Sequence, residues 1–367
     1  AQFYMVYLAS RISDNARPFT FPAIIMSYQV TIASSGHTFD VEPLETVLDA
    51  ALRQGIILPY GCRNCNCGNC KGDILSGSVD YEDGLPPALN DEDAAQNRAL
   101  FCQAHPNCDL TIKVREVDAA RDIEVRTLPC RVSKLEHLAH DVIRIYLKIP
   151  ESQRLQFLAG QYIDVLLKDH APRAFSIANA PHDDDFIELQ IRNVSGGFFS
   201  AQLFNQVQEK ALLRIKGPLG TFFLREDSER PAILIGGGTG FAPLKGMLEH
   251  AFYTSVEKPL HLFWGVRARR DLYLDELPRQ WQQQHGNFNY TPVLSEPMTG
   301  DDWTGETGFV TDSVVRHYPD LSNYDIYMSG PPVMVEAGHT LFLKHGLDET
   351  RFFSDAFEYA ALSDRLK

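Results

Sequence analysis

At 367 residues the chain has room for two or three ordinary domains. Its 44% hydrophobic and 22% charged content is that of a protein with real cores, and no apolar run approaches the roughly 18 residues that span a bilayer. A net charge of −14 argues against a nucleic-acid surface, which needs a basic stripe.

Residues 1–25 lack both a basic start and a sustained apolar stretch, so no secretory signal is expected and the expected location is cytoplasmic. They read as an extension, disordered or appended, without a functional role; a partner-binding tail is the alternative. Met26 then opens Met-Ser-Tyr-Gln-Val-Thr-Ile, the pattern of a first strand. Between Met26 and Glu116 stand thirteen acidic and six basic residues, which puts half of the net charge in about a quarter of the chain. Most of these acids suit a solvated face, and together they could also steer a basic redox partner.

Four of the seven cysteines fall within Cys-Arg-Asn-Cys-Asn-Cys-Gly-Asn-Cys, residues 62–70. Disulfides at such spacing would be strained, so a metal or cluster site is the stronger reading. Zinc favours two separated Cys-x-x-Cys pairs. Cys62, Cys67 and Cys70 instead give the C-x4-C-x2-C spacing of a plant-type 2Fe–2S centre, with Cys102 placed as the distant fourth ligand. Gly61 and Gly68 let the backbone wrap closely enough to aim N–H groups at the sulfurs. Cys65 is a fifth thiol that could compete for iron during assembly or sit unligated, with only spacing arguing against ligation. Cys108 and Cys130 read as ordinary buried thiols. The stretch from Pro59 through Gly72 resembles the ferredoxin module of bacterial iron–sulfur flavoprotein reductases. That family includes the CDP-6-deoxy-glucoseen reductase group and the reductase components of phenol hydroxylase and methane monooxygenase. The resemblance runs from Met26 to the C-terminus. It departs from the family pattern at Cys65 and Asn66, where small residues are usual.

From about residue 123 to 224 short alternating strands separated by Gly, Pro and Asp suggest an antiparallel barrel. Arg173-Ala-Phe-Ser176 offers a cation, an aromatic ring and a hydroxyl. Arg192-Asn-Val-Ser-Gly-Gly-Phe-Phe-Ser200 offers backbone N–H groups at a helix start. With residues 216–222 as a strand-closing motif, the two resemble the flavin motif of the ferredoxin-reductase superfamily. The resemblance implies FAD, with FMN the lesser alternative. It puts Arg173 on the pyrophosphate, with Phe175 and Ser176 at the isoalloxazine. Ala174, Ile191 and Gly196 join the cofactor contacts, and Gly197, Phe198, Phe199 and Ser200 lie at the phosphates. Ser176 is a candidate catalytic residue.

The last third reads as a buried strand, the glycine loop Gly236-Gly-Gly-Thr-Gly240, and a helix containing Pro243, which suits a phosphate at a helix N-terminus. It is neither a Walker loop nor the usual dinucleotide fingerprint. Further strands at 261–266 and 325–329 suit a doubly wound parallel sheet. Its crevice would gather Gly238, Thr239, Gly240, Pro243, Arg267, Ser329, Gly330 and Pro331. The segment resembles the superfamily's nicotinamide domain, with Ser329 where relatives commonly carry Cys, and hence the second catalytic candidate. The resemblance leans to NADH, while Arg267, Arg269 and Arg270 keep NADPH open. Phe357 in the tail aligns best with an aromatic that covers the flavin, and Phe352 or Phe353 suits packing.

The expected fold is therefore multidomain, α+β and α/β. It comprises a β-grasp ferredoxin domain (26–118), an antiparallel β-barrel FAD domain (123–226) and a doubly wound parallel-sheet nicotinamide domain (230–367). A nicotinamide gives up two electrons as hydride and a 2Fe–2S cluster accepts one at a time, so a flavin between them resolves the mismatch. The expected function is an electron-transfer reductase feeding a partner oxygenase or dehydratase that docks near the ferredoxin domain. A stand-alone flavin reductase or diaphorase, and a non-catalytic redox-sensing module, are the alternatives.

Overall fold

The computed structural model describes residues 27–82, 84–86, 88–166, 172–193 and 207–356. The first unit is a mixed sheet of β1 (Tyr28–Ile32), β2 (Thr38–Val41), β3 (Lys71–Ser76), β4 (Arg98–Leu100) and β5 (Leu110–Lys113), in the order β2-β1-β5-β3-β4. Strand β1 pairs antiparallel with β2 and parallel with β5. Val30 and Ile32 alternate inward from β1 and are fully buried, as a half-buried strand requires. Helix α1 (Val47–Arg53) starts at Thr46, whose hydroxyl accepts from the Asp49 amide, and it buries Val47, Leu48, Ala50 and Ala51 on the sheet. The cysteine loop crosses from α1 to β3, and Cys65, Cys70 and Cys102 lie within this unit's core.

The second unit is an antiparallel six-stranded sheet: β6 (Arg126–His137), β7 (Val142–Lys148), β8 (Tyr162–Leu166), β9 (Arg173–Ser176), β10 (Ile187–Arg192) and β11 (Leu212–Leu219). Their order is β9-β8-β11-β6-β7-β10. An antiparallel bridge between Ile177 and Leu189 joins the two end strands and closes the sheet into a barrel. Ile143, Ile145, Leu147, Ile163, Val165 and Ile215 fill its interior.

The third unit is wholly parallel. Strands β12 (Ala232–Gly237), β13 (Leu260–Val266), β14 (Phe288–Leu294), β15 (Asp325–Gly330) and β16 (Phe352–Ala356) run β14-β13-β12-β15-β16, with Glu306–Thr307 at the outer edge. Helices α2 (Phe241–Tyr253), α3 (Glu276–Gln284), α4 (Val310–His317) and α5 (Pro332–Lys344) cover the sheet. Covered on both faces, β12 is buried at every position. Leu234 faces one core with Leu262, Trp264 and Tyr327, while Ile233 and Ile235 face the other with Phe263, Ile326 and Met328. Among the described residues, no helix is long and apolar enough to cross a membrane.

Candidate functional site

The cysteine loop brings the four predicted ligands together as two pairs. The Cys62 amide donates to Cys67 Sγ (3.4 Å) and the Cys67 amide donates back to Cys62 Sγ (3.3 Å). The thiols of Cys70 and Cys102 form the second pair. Gly61 is required by close approach: a Cβ there would lie 2.8 Å from Asn69 Nδ2 and 3.3 Å from Cys67 Sγ. Cys108 departs from expectation; it is half-buried, in the turn that brings its sulfur 4.0 Å from Ser78 Oγ. Cys130 is buried in the barrel core, as expected.

Both ends of the loop are fastened to the other two units. At the start, Thr221 Oγ1 accepts from the Tyr60 amide (2.9 Å) and donates to the Tyr60 carbonyl (3.0 Å), and the Tyr162 hydroxyl donates to the Gly61 carbonyl (2.9 Å). Near the end, Asn69 Nδ2 donates to the Ser354 carbonyl (2.6 Å), and Ser354 Oγ donates to Asn69 Oδ1 (2.8 Å). The loop's middle residues Asn64 and Asn66 are exposed.

Ser354 leads directly to the predicted flavin site. Its neighbour Asp355 accepts from Ser176 Oγ (3.0 Å), and Ser329 Oγ donates to the Asp355 carbonyl (3.3 Å). Arg173 and Phe175 are half-buried and Ala174 is exposed on β9, while Ile191 is buried in the barrel. Gly196, Gly197, Phe198, Phe199, Ser200 and Phe357 lie outside the described residues. Phe353 packs instead of projecting: its ring stacks on Tyr327 at 4.9 Å, with the Arg225 guanidinium 4.8 Å from its centroid.

The glycine loop turns from β12 into α2 at the carboxyl ends of the parallel strands. Gly236 is level with Ser329, and a Cβ on Gly240 would stand 1.9 Å from the Ser329 carbonyl oxygen. A Cβ on Gly330 would lie 3.2 Å from Gly237 Cα. Gly238, with φ +57°, sits under the Arg192 guanidinium of the barrel. Thr239 is half-buried, Pro243 is buried in α2, and Pro331 is half-buried at the start of α5. Ser329 is fully buried, its hydroxyl engaged by the last strand rather than open to the crevice. The three arginines after β13, Arg267, Arg269 and Arg270, are all exposed; the Arg269 guanidinium donates to the Asp301 carbonyl (2.8 Å) and Arg270 lies 4.0 Å from Asp271.

Residues 30–107 match the 2Fe-2S iron-sulfur cluster binding domain, 129–224 the oxidoreductase FAD-binding domain, and 234–340 the oxidoreductase NAD-binding domain. The chain is 39% identical to CDP-6-deoxy-L-threo-D-glycero-4-hexulose-3-dehydrase reductase of Yersinia pestis, over 90% of this chain and 99% of that one. The chain belongs to the iron–sulfur flavoprotein reductases. It is also 35% identical to the phenol hydroxylase P5 protein of Acinetobacter pittii, over 92% and 96% of the two chains. The solved ferredoxin reductase in carbazole 1,9a-dioxygenase is 30% identical, with a TM-score of 0.65 over 91% of this chain and 99% of that one.

The residues of this reductase fit all three groups. The Cys67 thiol, helped by the amides of Asn64, Cys67 and Asn66, draws the Cys62 thiol below its usual range against the cost of burial. Cys102 is likewise drawn down by the Cys65 and Cys70 thiols, the direction that favours the thiolate form iron binds. Among the described residues, the Arg173–Ser176 strand pairs with β8, and the cation of Arg173 and the hydroxyl of Ser176 on it suit an anionic, polar-edged cofactor. The glycine loop at the head of α2 suits a dinucleotide phosphate. When bound, the flavin takes hydride from the nicotinamide and yields electrons singly to the cluster.

Four polar contacts escaped the sequence reading. Asp355 was visible only as one residue of an aromatic-rich run. Burial pushes its carboxyl up to about 6, partly opposed by the hydrogen bond from Ser176. Asn69 stands inside the cysteine motif, where a polar residue in a tight loop was the available signal. Thr221 and Tyr162 carried none, because their partners are 161 and 101 residues away.

Proposed function

We propose that this reductase draws on NADH and delivers electrons through the open middle of its cysteine loop to a separate oxygenase or dehydratase. One observation carries the reading. The loop is hydrogen-bonded at both ends to the units that hold the flavin and nicotinamide motifs, while Asn64 and Asn66 between them face solvent. The closed ends suit electron entry and the exposed middle suits exit to a docked protein. The relatives point the same way, being named as reductases or components of dehydrase and hydroxylase systems.

In this reading Cys62, Cys67, Cys70 and Cys102 hold the cluster. Arg173 and Ser176 hold the flavin, and the crevice from Gly238 to Gly240 with Gly330 and Pro331 holds the dinucleotide. Asp355 fixes the Ser176 hydroxyl and can exchange a proton with it; Ser329 fixes the strand that carries Asp355. The preference for NADH is supported by the acids beside these arginines: Asp301 and Asp271 stand next to Arg269 and Arg270, where a 2′-phosphate would meet negative charge. The net acidity of the first unit favours a partner with a basic docking face. A cytoplasmic location belongs to the same reading, since none of its seven cysteines is disulfide-bonded and reducing conditions keep thiols available for a cluster.

The test is anaerobic titration with NADH, followed by visible absorbance and low-temperature EPR. Flavin bleaching followed by a one-electron cluster signal is the expected result. A protein with full iron and flavin content that bleaches without a cluster signal would remove the electron-chain reading. Parallel titration with NADPH should need at least tenfold more nucleotide.

A further inference from the structure

The loop carries one thiol more than a four-cysteine cluster uses, and the fifth stands among the ligands. Cys65 is 4% exposed, and its Sγ lies 3.6 Å from Cys102 Sγ. In a tetrahedral thiolate site with metal–sulfur bonds of about 2.3 Å, two sulfurs on one metal are about 3.8 Å apart. Cys65 and Cys102 therefore have nearly the separation of two ligands on one ion. Cys102 also contacts Cys70, so three sulfurs surround one end of the loop where two are needed. The other end, with Cys62 and Cys67, has no such extra thiol among the described residues. The backbone adds a second observation. Cys65 has φ +64°, a conformation that disfavours any side chain by about 1–2 kcal/mol relative to glycine. A side chain held there, buried and aimed at a ligand sulfur, is not space filling on an open turn.

We propose that Cys65 is a reserve ligand, able to replace Cys102 on the iron that Cys70 and Cys102 hold. The inference rests on the cluster assignment above. In the exchange the iron–Sγ bond to Cys102 breaks and an iron–Sγ bond to Cys65 forms. One proton passes from Cys65 to Cys102, and no oxidation state changes. Because the thiol is already in contact, recapture is intramolecular and outruns loss of iron to solvent. The loop thus protects the end of the cluster served by a distant ligand, 32 residues after Cys70.

The test uses the full chain purified anaerobically, with iron, acid-labile sulfide and FAD measured per chain. Cys102→Ala should keep at least half of the wild-type iron and sulfide with an altered cluster EPR spectrum. Cys65→Ala/Cys102→Ala should lose it, and Cys62→Ala should lose it despite an intact Cys65. Normal FAD content and flavin bleaching by NADH in each variant establish that the fold is intact. An iron-free Cys102→Ala with normal FAD, or a double variant as full as the single one, would overturn the proposal. A second measurement does not depend on Cys102 variants: Cys65→Ala should lose iron to a chelator at least threefold faster than wild type. Equal rates would also overturn it. A wild-type protein without a 2Fe–2S signal would instead refute the underlying cluster assignment.

Discussion

Replacing Asp355 by Asn tests the junction of last strand and flavin site through pH dependence. The carboxyl is partly buried beside Ser176, and burial raises it from near 3.8 to about 6. The folded protein thus holds this proton more tightly than the unfolded chain does. Stability from this group is fully present below about pH 4 and is lost as pH rises through about 6. At 1.36 kcal/mol per unit, the full loss is about 3 kcal/mol, of which about 1.4 kcal/mol falls between pH 5 and 7.5. Asn keeps an acceptor for Ser176 Oγ and carries no titrating proton. Urea midpoints for the two proteins, read by flavin fluorescence from pH 5 to 7.5, should diverge. Wild type should lose about 1.4 kcal/mol more than Asp355→Asn over that range, with the variant the more stable at pH 7.5. Parallel curves would refute the argument by showing that Asp355 is solvated or differently partnered in the working protein.

Asn69→Ala removes both hydrogen bonds to Ser354, each worth about 0.5–1.5 kcal/mol. In stopped-flow, flavin bleaching by NADH should keep its rate while cluster reduction slows severalfold. Gly240→Ala drives a methyl group to 1.9 Å from the Ser329 carbonyl, so NADH binding should weaken at least tenfold while iron content holds, as measured by titration and metal analysis. Lys245, nearly buried between Glu188 of the barrel (3.1 Å) and Glu249, also donates to the Ala178 carbonyl. Lys245→Met strands two carboxylates and should cost about 3–5 kcal/mol, visible as an early unfolding transition in calorimetry.

What the sequence made legible was local. The 62–70 spacing, the strand before Gly236 and the helix after Gly240 are each written within a few residues, and the structure places them as the spacing predicts. The alternating runs at 142–149 and 186–192 likewise became paired strands of one barrel, because a period of two commits a segment to a half-buried sheet. Contacts between units were not legible. Asn69 meets Ser354 across 285 residues and Ser176 meets Asp355 across 179, and no periodicity encodes such a pairing. Cys65 stands between these cases. Its spacing was readable, but its closeness to Cys102 depends on a positive φ that sequence alone assigns to glycine.

The last strand explains how three separately folded units can serve one electron path. Successive residues of an extended strand point to opposite sides. On β16, Ser354 turns its hydroxyl to Asn69 of the cysteine loop, and Asp355 turns its carboxyl to Ser176 of the barrel. The same segment is fixed from behind by the buried Ser329 hydroxyl of the neighbouring strand β15. Two adjacent residues thus tie the cysteine loop and the flavin motif to one strand, beside the direct bonds of Thr221 and Tyr162 to the loop and the apolar packing of Cys67 and Phe222 on the third unit. A junction of that kind ties the cysteine loop and the barrel to one strand, while Asn64 and Asn66 in the middle of the loop stay exposed.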